Sequence, residues 1–212
     1  FKDKFNFDRK VTVREIIVRS SNVGSARIAL KLGKENQKKI LKKLGLLDPV
    51  PFELTEAKMT TPLNPPDWKP LTLATVSFGH SISVSLLHLA RAYSILANGG
   101  FDVEPTIVIK NEHQDIRKRI LKRETSQKIL ELLEAVVNDE RGTGRSANSD
   151  YYGIGGKTGT ADKPSKKNRG YLEERVISNF AGVFPIEEPR YVIAALLDEP
   201  ENTFKEKVCR FS

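Results

Sequence analysis

Apolar residues recur at helical spacing through the first part of the chain and predict three helices there. Thr12 followed by Glu15 is typical of a capping box, and the apolar stripe behind it predicts a short helix running toward Ser20. A second helical pattern stops near Gly33, and a third, basic and amphipathic, ends before Pro49. Ser20 is therefore expected at a helix end.

The middle of the chain contains the two longest helical patterns. Residues 83–97 place apolar side chains at helical spacing, and the Asn-Gly-Gly sequence that follows supplies a left-handed stop. Residues 124–139 have an apolar face typical of a core helix.

Prolines predict an irregular loop over residues 48–72, and the remaining segments predict a short edge strand at 104–109 and a solvated hairpin or turn at 112–123.

The last third of the chain changes from helical to strand-like patterning. Residues 154–161 form a stretch of small and hydroxyl side chains, and two apolar runs at 176–185 and 190–197 predict strands joined by a proline-containing turn. Helices first and an antiparallel sheet last predict an α+β, mixed three-layer arrangement. With 212 residues and 39% hydrophobic content, the chain has enough apolar surface for a globular core.

The chain is basic, with a formal net charge of +8 and a sequence pI of about 9.5. An excess of positive charge of this size is compatible with nucleic acid, an anionic membrane surface or an anionic polymer as a partner. The 35 Lys and Arg residues are dispersed among 27 acidic residues, which favours an ordinary solvated surface. The lack of an aromatic stacking array in the sequence argues against nucleic acid.

Neither a metal nor another cofactor is predicted. Cys209 is the single cysteine, which excludes an intrachain disulfide and a thiolate cluster. His80, His88 and His113 have no metal-site spacing and are expected to be surface or packing residues. The first residues contain no apolar run long enough for a signal peptide or a membrane span.

Residues 154–161 concentrate the recognition chemistry of the sequence. Lys157 supplies a cation, Thr158 and Thr160 supply hydroxyl donors, and the neighbouring glycines leave backbone N–H groups accessible, so the stretch predicts an anion site. A nucleotide-binding phosphate loop would need glycine where the chain has Tyr151, and an apolar strand before it. The nucleotide alternative is therefore disfavoured.

A Ser-x-Asn pattern occurs twice, with Ser20 and Asn22 and again with Ser146 and Asn148. The first copy is preferred because it ends an amphipathic helix, whereas the second lies in a polar loop where Ser and Asn commonly form turns. A Ser-x-Asn pattern upstream of a strand that carries Lys-Thr-Gly supplies two of the three elements of penicillin-binding proteins and serine β-lactamases.

The wider sequence resembles the class B penicillin-binding proteins over residues 13–24, 78–84, 89–93, 97–100 and 156–161. It is most similar to the cell-division peptidoglycan transpeptidases of Gram-negative bacteria, and the resemblance covers nearly the whole chain in the family's order. The resemblance implies a fold like that of penicillin-binding proteins and serine β-lactamases, in which an antiparallel sheet carries helices on both faces.

In this family an activated serine attacks the penultimate D-Ala carbonyl of a stem peptide, and an amine from a neighbouring stem releases the acyl-enzyme. The resemblance implies that Ser20 relays a proton to the leaving amine and that Asn22 holds the substrate amide and the catalytic lysine. Lys157 would set the local positive field. Each residue taken alone also has an ordinary structural interpretation, as a helix-end hydroxyl, a cap or an exposed strand lysine.

The substrate-binding residues that the resemblance implies are Thr158, Gly159 and Thr160. The two threonines would bind the terminal carboxylate of the substrate. The N–H of Thr160 would be one of two oxyanion-hole donors, a contact worth about 3 kcal/mol in other enzymes. Transpeptidase and carboxypeptidase chemistry both stay open, because these motifs do not encode the acceptor site.

The nucleophile element Ser-x-x-Lys has no match, because no serine of the chain is followed by lysine three positions later. In the family this element precedes Ser-x-Asn, and a glycine-rich strand and an apolar helix follow the strand that residues 190–199 match. Residues 1–212 are therefore expected to be part of a transpeptidase domain, inactive alone, with an unpaired sheet edge and an uncovered apolar face.

The chain departs from the family at three positions of the matched region. The family usually has Gly, Pro and Gln where this chain has Ser81, Leu86 and His88.

The resemblance implies stem peptides as substrates and β-lactams as ligands of the intact enzyme. It also implies association with the N-terminal part of the same enzyme and with division proteins, at the periplasmic face of the bacterial inner membrane. A non-catalytic module that binds stem peptides or β-lactams is the alternative, and a basic nucleic-acid-binding protein is a third possibility.

Overall fold

The computed structural model describes residues 3, 10–56, 61–109, 118–164 and 171–201 of the chain. Its helices are α1 Val13–Val18, α2 Asn22–Leu32, α3 Lys34–Lys43, α4 Pro70–Val76, α5 Leu86–Ala97 and α6 Arg123–Asn138, and its strands are β1 Gly155–Pro164, β2 Tyr171–Phe184 and β3 Tyr191–Asp198. A 3₁₀ turn at Arg145–Ala147 precedes the sheet. The predicted order of helices first and antiparallel sheet last is confirmed.

The break between α1 and α2 positions the first Ser-x-Asn pattern. Thr12 Oγ1 accepts a hydrogen bond from Glu15 N at 3.2 Å and Glu15 Oε2 accepts one from Thr12 N at 2.9 Å, which confirms the capping box that starts α1. α1 stops before Ser20, whose backbone is left-handed with φ 54°. Ser21 then caps α2, its hydroxyl accepting from Gly24 N at 2.9 Å. Ser20 therefore lies outside both helices.

The sheet has the strand order β1-β2-β3 with antiparallel neighbours. The pairing of Lys157 with Ala181, and of Ala181 with Ala194, puts these side chains on one face. That face is buried, since Ala181 and Val183 are 3% and 0% exposed, and α5 and α6 pack against the sheet. On the other face, within the described residues, Tyr191 is 60% exposed.

α6 lies at the centre of the helical layer and contacts β1, α1 and α5. Its residues Val136 and Val137 are 0% and 1% exposed, and Ile95 of α5 is fully buried beside this layer. The two core helices predicted at 83–97 and 124–139 are confirmed. The first of them begins three residues later than predicted, after the cap at its N-terminus.

The strand predicted at residues 104–109 is wrong, because these residues form no strand. The Glu53 carboxylate instead accepts hydrogen bonds from the Thr106 hydroxyl and, at 3.3 Å, from Ile107 N. A backbone donor that is already bonded to a side chain is not available to a sheet ladder. Ile109 is accordingly 90% exposed.

Two predicted connections are revised at their C-terminal ends. The described part of the loop predicted at 48–72 is mostly irregular, but Pro70 starts α4 because proline fits the first turn of a helix, where its missing N–H is not needed. The hairpin or turn predicted at 112–123 falls in part outside the described residues, and Arg123 already begins α6.

The local backbone at the three departures from the resembled family also suits the residues that the family usually has there. Ser81 has φ 63°, a left-handed conformation that favours glycine. Leu86 is the first residue of α5, a position that proline tolerates well. His88 lies two positions later and forms a capping box with Ser85, which a glutamine can also do.

His88 also joins α5 to the loop that follows α3. Its side chain is 1% exposed, Nδ1 accepts from Ser85 N at 3.3 Å, and Nε2 lies 3.1 Å from the carbonyl oxygen of Asp48. An acceptor role for Nδ1 together with a donor role for Nε2 requires the neutral imidazole. Burial lowers the pKa of His88 below its ordinary value.

The buried histidine predicts an acid-sensitive fold. Because the folded-state pKa of His88 lies below that of an unfolded histidine, its contribution to stability is present above about pH 6.5 and is lost as the pH falls below that value. His88→Gln should flatten this dependence in urea denaturation measured from pH 7.5 to 5. An unchanged slope in His88→Gln would show that other groups cause the dependence.

The left-handed Ser81 predicts a stabilising substitution. Ser81→Gly is expected to raise the free energy of unfolding by up to about 1 kcal/mol, because glycine adopts this conformation without a Cβ clash. The hydroxyl contact between Ser81 and Thr75 at 2.9 Å is lost in the same variant and offsets part of the gain. Ser81→Ala is the matched control, since it loses the hydroxyl but keeps the Cβ. A glycine variant less stable than the alanine variant would refute the interpretation.

Candidate active site

One cleft with a volume of about 500 Å³ collects the residues that the sequence singles out. It lies between α1, the start of α2, the segment before α5, α6 and β1. The predicted site residues that line it are Ser20, Asn22, Lys157, Thr158, Gly159 and Thr160. The second Ser-x-Asn copy lies elsewhere, with Ser146 exposed in the 3₁₀ turn.

Lys157 connects the two motifs. Its ammonium group donates hydrogen bonds to Ser20 Oγ at 2.9 Å, to the Thr158 carbonyl oxygen at 2.9 Å and to Thr143 Oγ1 at 3.4 Å. An ammonium group has three donors, and all three are used. The side chain is therefore held in one direction, with its charge at the wall of the cleft.

The cleft is electropositive. Burial lowers the pKa of Lys157 to about 8, so the side chain is still mostly protonated at neutral pH. Among the described residues that line the cleft, none is a carboxylate, and His80 and Tyr93 are the other titratable groups. Burial raises the pKa of Tyr93, whose phenol therefore stays neutral. The charge of Lys157 is thus available to an incoming anion.

Ser20 reaches Lys157 because its backbone turns away from α1. Its N–H donates to the Ile17 carbonyl at 3.2 Å, and the N–H of Ser21 donates to the Ile16 carbonyl at 2.9 Å. These bonds hold a left-handed residue that costs about 1–2 kcal/mol outside glycine. Such strain is common where a side chain must be aimed at a site.

The two threonines of β1 have different environments. Thr158 Oγ1 donates to Thr143 Oγ1 at 3.0 Å. Thr160 Oγ1 is buried and has no hydrogen-bond partner within the described ranges. A buried hydroxyl without a partner costs about 1–3 kcal/mol, so an acceptor supplied by a ligand would be stabilised there.

β1 offers a strand edge to the cleft. It pairs with β2 on one side, and no described strand pairs with its other edge. A free edge of this kind can bind an extended peptide through backbone hydrogen bonds. A side chain at position 159 would have to displace Asn179, because a Cβ on Gly159 would lie 2.7 Å from Asn179 Oδ1. Because Lys157 lies within a strand, the stretch is not a phosphate loop.

Two residues of the site were not predicted from the sequence. Thr143 lies in the loop between α6 and β1, within hydrogen-bond reach of Lys157 and Thr158. Its sequence signal, a threonine between two glycines, indicates only a glycine loop. His80 was expected to be a surface or packing residue, but it lines the cleft with its ring edge-on to Phe78, 5.4 Å between centroids.

Comparison with known proteins agrees with this geometry. The family model described as the penicillin-binding protein transpeptidase domain matches residues 1–209. The chain belongs to the penicillin-binding-protein transpeptidase family. The probable peptidoglycan D,D-transpeptidase FtsI of Caulobacter vibrioides is 37% identical over 196 residues, which are 89% of this chain and 33% of that protein. Stage V sporulation protein D of Bacillus subtilis is 32% identical over 92% of this chain and 31% of its own length.

Solved structures of the family share the fold. The transpeptidase domain of Burkholderia pseudomallei penicillin-binding protein 3 matches with a TM-score of 0.81 and 33% identity, over 90% of this chain and 57% of that chain. Penicillin-binding protein 3 of Mycobacterium tuberculosis, solved in complex with aztreonam, matches with a TM-score of 0.85 and 28% identity, over 94% and 48%. The predicted penicillin-binding-protein fold is confirmed. The chain spans about a third of the length of the curated relatives that it matches.

The chemical groups in the cleft of this penicillin-binding-protein chain are hydroxyls, an amide, an imidazole, a phenol and an ammonium group. In the part of the chain that the structure describes, no cluster of three or more His, Cys, Asp or Glu residues is placed to hold a metal ion. No helix in that part is both long and apolar enough to cross a membrane.

The buried ammonium group predicts a stability that rises at alkaline pH. The folded-state pKa of Lys157 is about 8 against 10.5 for an ordinary lysine, so between these values the folded chain binds fewer protons and its free energy of unfolding increases with pH. Lys157→Met should remove this increase in urea denaturation measured from pH 7 to 10.5.

Lys163 provides the matched control for this measurement. It lies on the same strand, but its hydrogen bonds to Asp198 and Glu199 raise its pKa. Lys163→Met should therefore keep the alkaline increase in stability. Loss of the increase in both variants, or in neither, would contradict the assignment to Lys157.

Proposed function

We propose that this chain forms the Ser-x-Asn and Lys-Thr-Gly walls of the active site of a peptidoglycan D,D-transpeptidase that acts in cell division and wall synthesis. The observation that carries the proposal is the 2.9 Å hydrogen bond from Lys157 Nζ to Ser20 Oγ, which joins two motifs 137 positions apart. Two patterns that occurred by chance would have no reason to share a hydrogen bond within one cleft.

Each site residue has a task in the proposed reaction. Ser20 Oγ accepts from Lys157, which leaves its own O–H to donate, and it relays a proton to the leaving amine of D-Ala. Asn22 holds the substrate amide. Thr158 and Thr160 donate to the terminal carboxylate, which the charge of Lys157 attracts. The N–H of Thr160 is one of two donors to the oxyanion of the tetrahedral intermediate.

The nucleophile comes from a segment that this sequence does not contain. No serine of the 212 residues is followed by lysine three positions later. A Ser-x-x-Lys segment of the same enzyme enters the cleft, where Ile16, Ile17 and Leu132 provide an apolar surface beside Lys157. This segment and division proteins are the proposed partners, and the periplasmic face of the inner membrane is the proposed location.

The proposed ligands are stem peptides that end in D-Ala-D-Ala, and β-lactams. Both carry an anionic group close to the carbonyl that is attacked, a carboxylate in the peptide and in penicillins, and the cleft presents one ammonium group and two threonine hydroxyls to that anion. The solved complexes of Mycobacterium tuberculosis penicillin-binding protein 3 with aztreonam and with ampicillin support β-lactams as ligands of the complete site.

Labelled penicillin tests the proposal on the chain and in its source cells. The purified chain should form no covalent adduct by intact mass, because it has no Ser-x-x-Lys. An antibody to the chain should detect a penicillin-labelled species larger than 23.8 kDa in the cells. Lys157→Met in the gene should reduce this labelling by about 100-fold or more, whereas the control Lys163→Met should not.

Two outcomes oppose the proposal. A stoichiometric adduct on the purified chain would locate a nucleophile within these 212 residues. Absence of any labelled species that carries the epitope would favour the alternative, a non-catalytic module that binds stem peptides. That alternative is suggested by the missing Ser-x-x-Lys alone. Both functions predict that the purified chain binds N-acetyl-D-Ala-D-Ala without turnover, so the labelled species in the cells decides between them.

A further inference from the structure

Thr143 lies in a loop that is clamped to the end of α6. Its N–H donates to the Val18 carbonyl of α1 at 3.2 Å, and the neighbouring Gly144 N–H donates to the Val136 carbonyl at 3.1 Å. Gly142 approaches α6 so closely that a Cβ would lie 2.9 Å from the Asp139 carbonyl oxygen. The backbone of Thr143 is thus fixed on both sides, and its side chain has a defined direction.

A second contact holds the same loop. Asp139 Oδ2 accepts from Arg14 of α1 at 2.9 Å, and Asp139 Oδ1 accepts from the N–H of Arg141 at 3.0 Å. The hydrogen bond from the Arg141 backbone, followed by that from Arg14, lowers the pKa of Asp139 to about 2. The carboxylate therefore stays ionised at neutral pH and ties the loop to α1, the helix that also leads to Ser20.

The hydroxyl of Thr143 lies between two functional groups of the cleft. It accepts from Lys157 Nζ at 3.4 Å and from Thr158 Oγ1 at 3.0 Å. With the bond from Lys157 to Ser20 at 2.9 Å, these contacts form one continuous chain of hydrogen bonds, Thr158 to Thr143 to Lys157 to Ser20. No hydrogen bond among the described residues joins the Thr158 hydroxyl to Lys157 directly.

The number of acceptor positions on the Thr143 hydroxyl determines how this series of hydrogen bonds responds to a ligand. Both acceptor positions of the Thr143 oxygen are used when Thr158 and Lys157 donate to it. When the Thr158 hydroxyl turns to donate to an anion, Thr143 loses one donor, and its oxygen accepts more fully from Lys157. Binding of an anion at Thr158 thereby favours the charged form of Lys157 and keeps it directed at Ser20.

We propose that Thr143 is a positioning residue that couples anion binding at Thr158 to the orientation of Lys157 and, through it, of Ser20. The identity of the anion, a stem-peptide or β-lactam carboxylate, rests on the proposed function. The coupling between Thr158, Thr143 and Lys157 involves only residues of this 212-residue chain and does not require the nucleophile.

In the part of the chain that the structure describes, few other titratable groups line the cleft beside Lys157, and the Asp3 carboxylate, outside this lining, accepts from Ser21 Oγ at 2.6 Å. From α6 the apolar residues Leu132 and Leu133 line the same cleft, and from the opposite side His80 and Tyr93 do so. From the turn between α1 and α2 the neutral Ser20 faces it. Burial is the cause of its lowered pKa, so loss of one acceptor should be visible against this background.

Three variants of the 212-residue chain test the proposal. Thr143→Val keeps the shape and removes the hydroxyl, Thr143→Ser restores the hydroxyl, and Ser146→Ala removes an exposed hydroxyl of the same loop as a control. The pKa of Lys157 is measured by NMR of labelled lysine side chains, without ligand and with N-acetyl-D-Ala-D-Ala. Urea denaturation and the amide spectrum show whether each variant is folded.

Loss of the hydroxyl should lower the pKa of Lys157 in the free chain by about one further pH unit, because the ammonium form loses an acceptor. Thr143→Ser should return it to the wild-type value, and Ser146→Ala should leave it unchanged. In the wild type the dipeptide should raise this pKa, and in Thr143→Val the increase should be smaller. The midpoint of the alkaline loss of dipeptide binding should fall by the same amount.

Thr158→Val tests the coupling at the residue where the anion would bind. It removes a hydroxyl that does not contact Nζ, yet it should raise the pKa of Lys157 by freeing an acceptor position on Thr143, and this effect should vanish when Thr143→Val is also present. If Thr143→Val does not fold, Thr158→Val alone decides, and an unchanged pKa of Lys157 in it overturns the proposal.

A folded Thr143→Val with an unchanged pKa of Lys157, or additive effects in the double variant, also overturns the coupling. Failure of the wild type to bind the dipeptide counts against the proposed function instead. In that case the measurements without ligand still decide the role of Thr143.

Discussion

The site depends on a buried ammonium group that no carboxylate of the cleft lining neutralises. A charge in such a place persists only if each of its protons has an acceptor, and Lys157 finds these on Ser20, on Thr143 and on a backbone carbonyl. The left-handed turn at Ser20 and the clamped loop around Thr143 are the two backbone features that deliver those acceptors. Much of the remaining fold holds these two features against β1.

The sequence predicted what local physical chemistry controls. The capping box of Thr12 and Glu15, the glycine stop after α5 and the two long amphipathic helices depend on neighbours within a few positions, and the structure has them all. The Lys-Thr-Gly stretch could be selected because it concentrates a cation, hydroxyls and glycines, and the first Ser-x-Asn copy because it lies at a helix end. Their meeting in space could be expected only from the resemblance to a known family.

The features that the sequence did not predict come from contacts between distant positions. Residues 104–109 have the composition of a strand, but Glu53, more than fifty positions away, takes the donors that a strand partner would need. Thr143 lies between two glycines, which indicates only a glycine loop, and its place beside the site follows only from the approach of Lys157 and Thr158. Such pairings produce no periodic pattern in the sequence, because they depend on how the helices, strands and loops pack together.

The hydroxyl of Thr160, which has no hydrogen-bond partner among the described residues, has a consequence for selectivity. A buried donor that the fold leaves unsatisfied weakens the empty protein slightly, and the deficit is made good only by a ligand with an acceptor at that point. Analogues of similar shape that lack the acceptor make the same apolar contacts but leave the hydroxyl unpaired. Their binding free energy is therefore less favourable by more than the value of the one missing hydrogen bond. Under the proposed function, an amidated or decarboxylated peptide terminus belongs to this rejected class, and the cleft would select its ligand partly by penalising the wrong one.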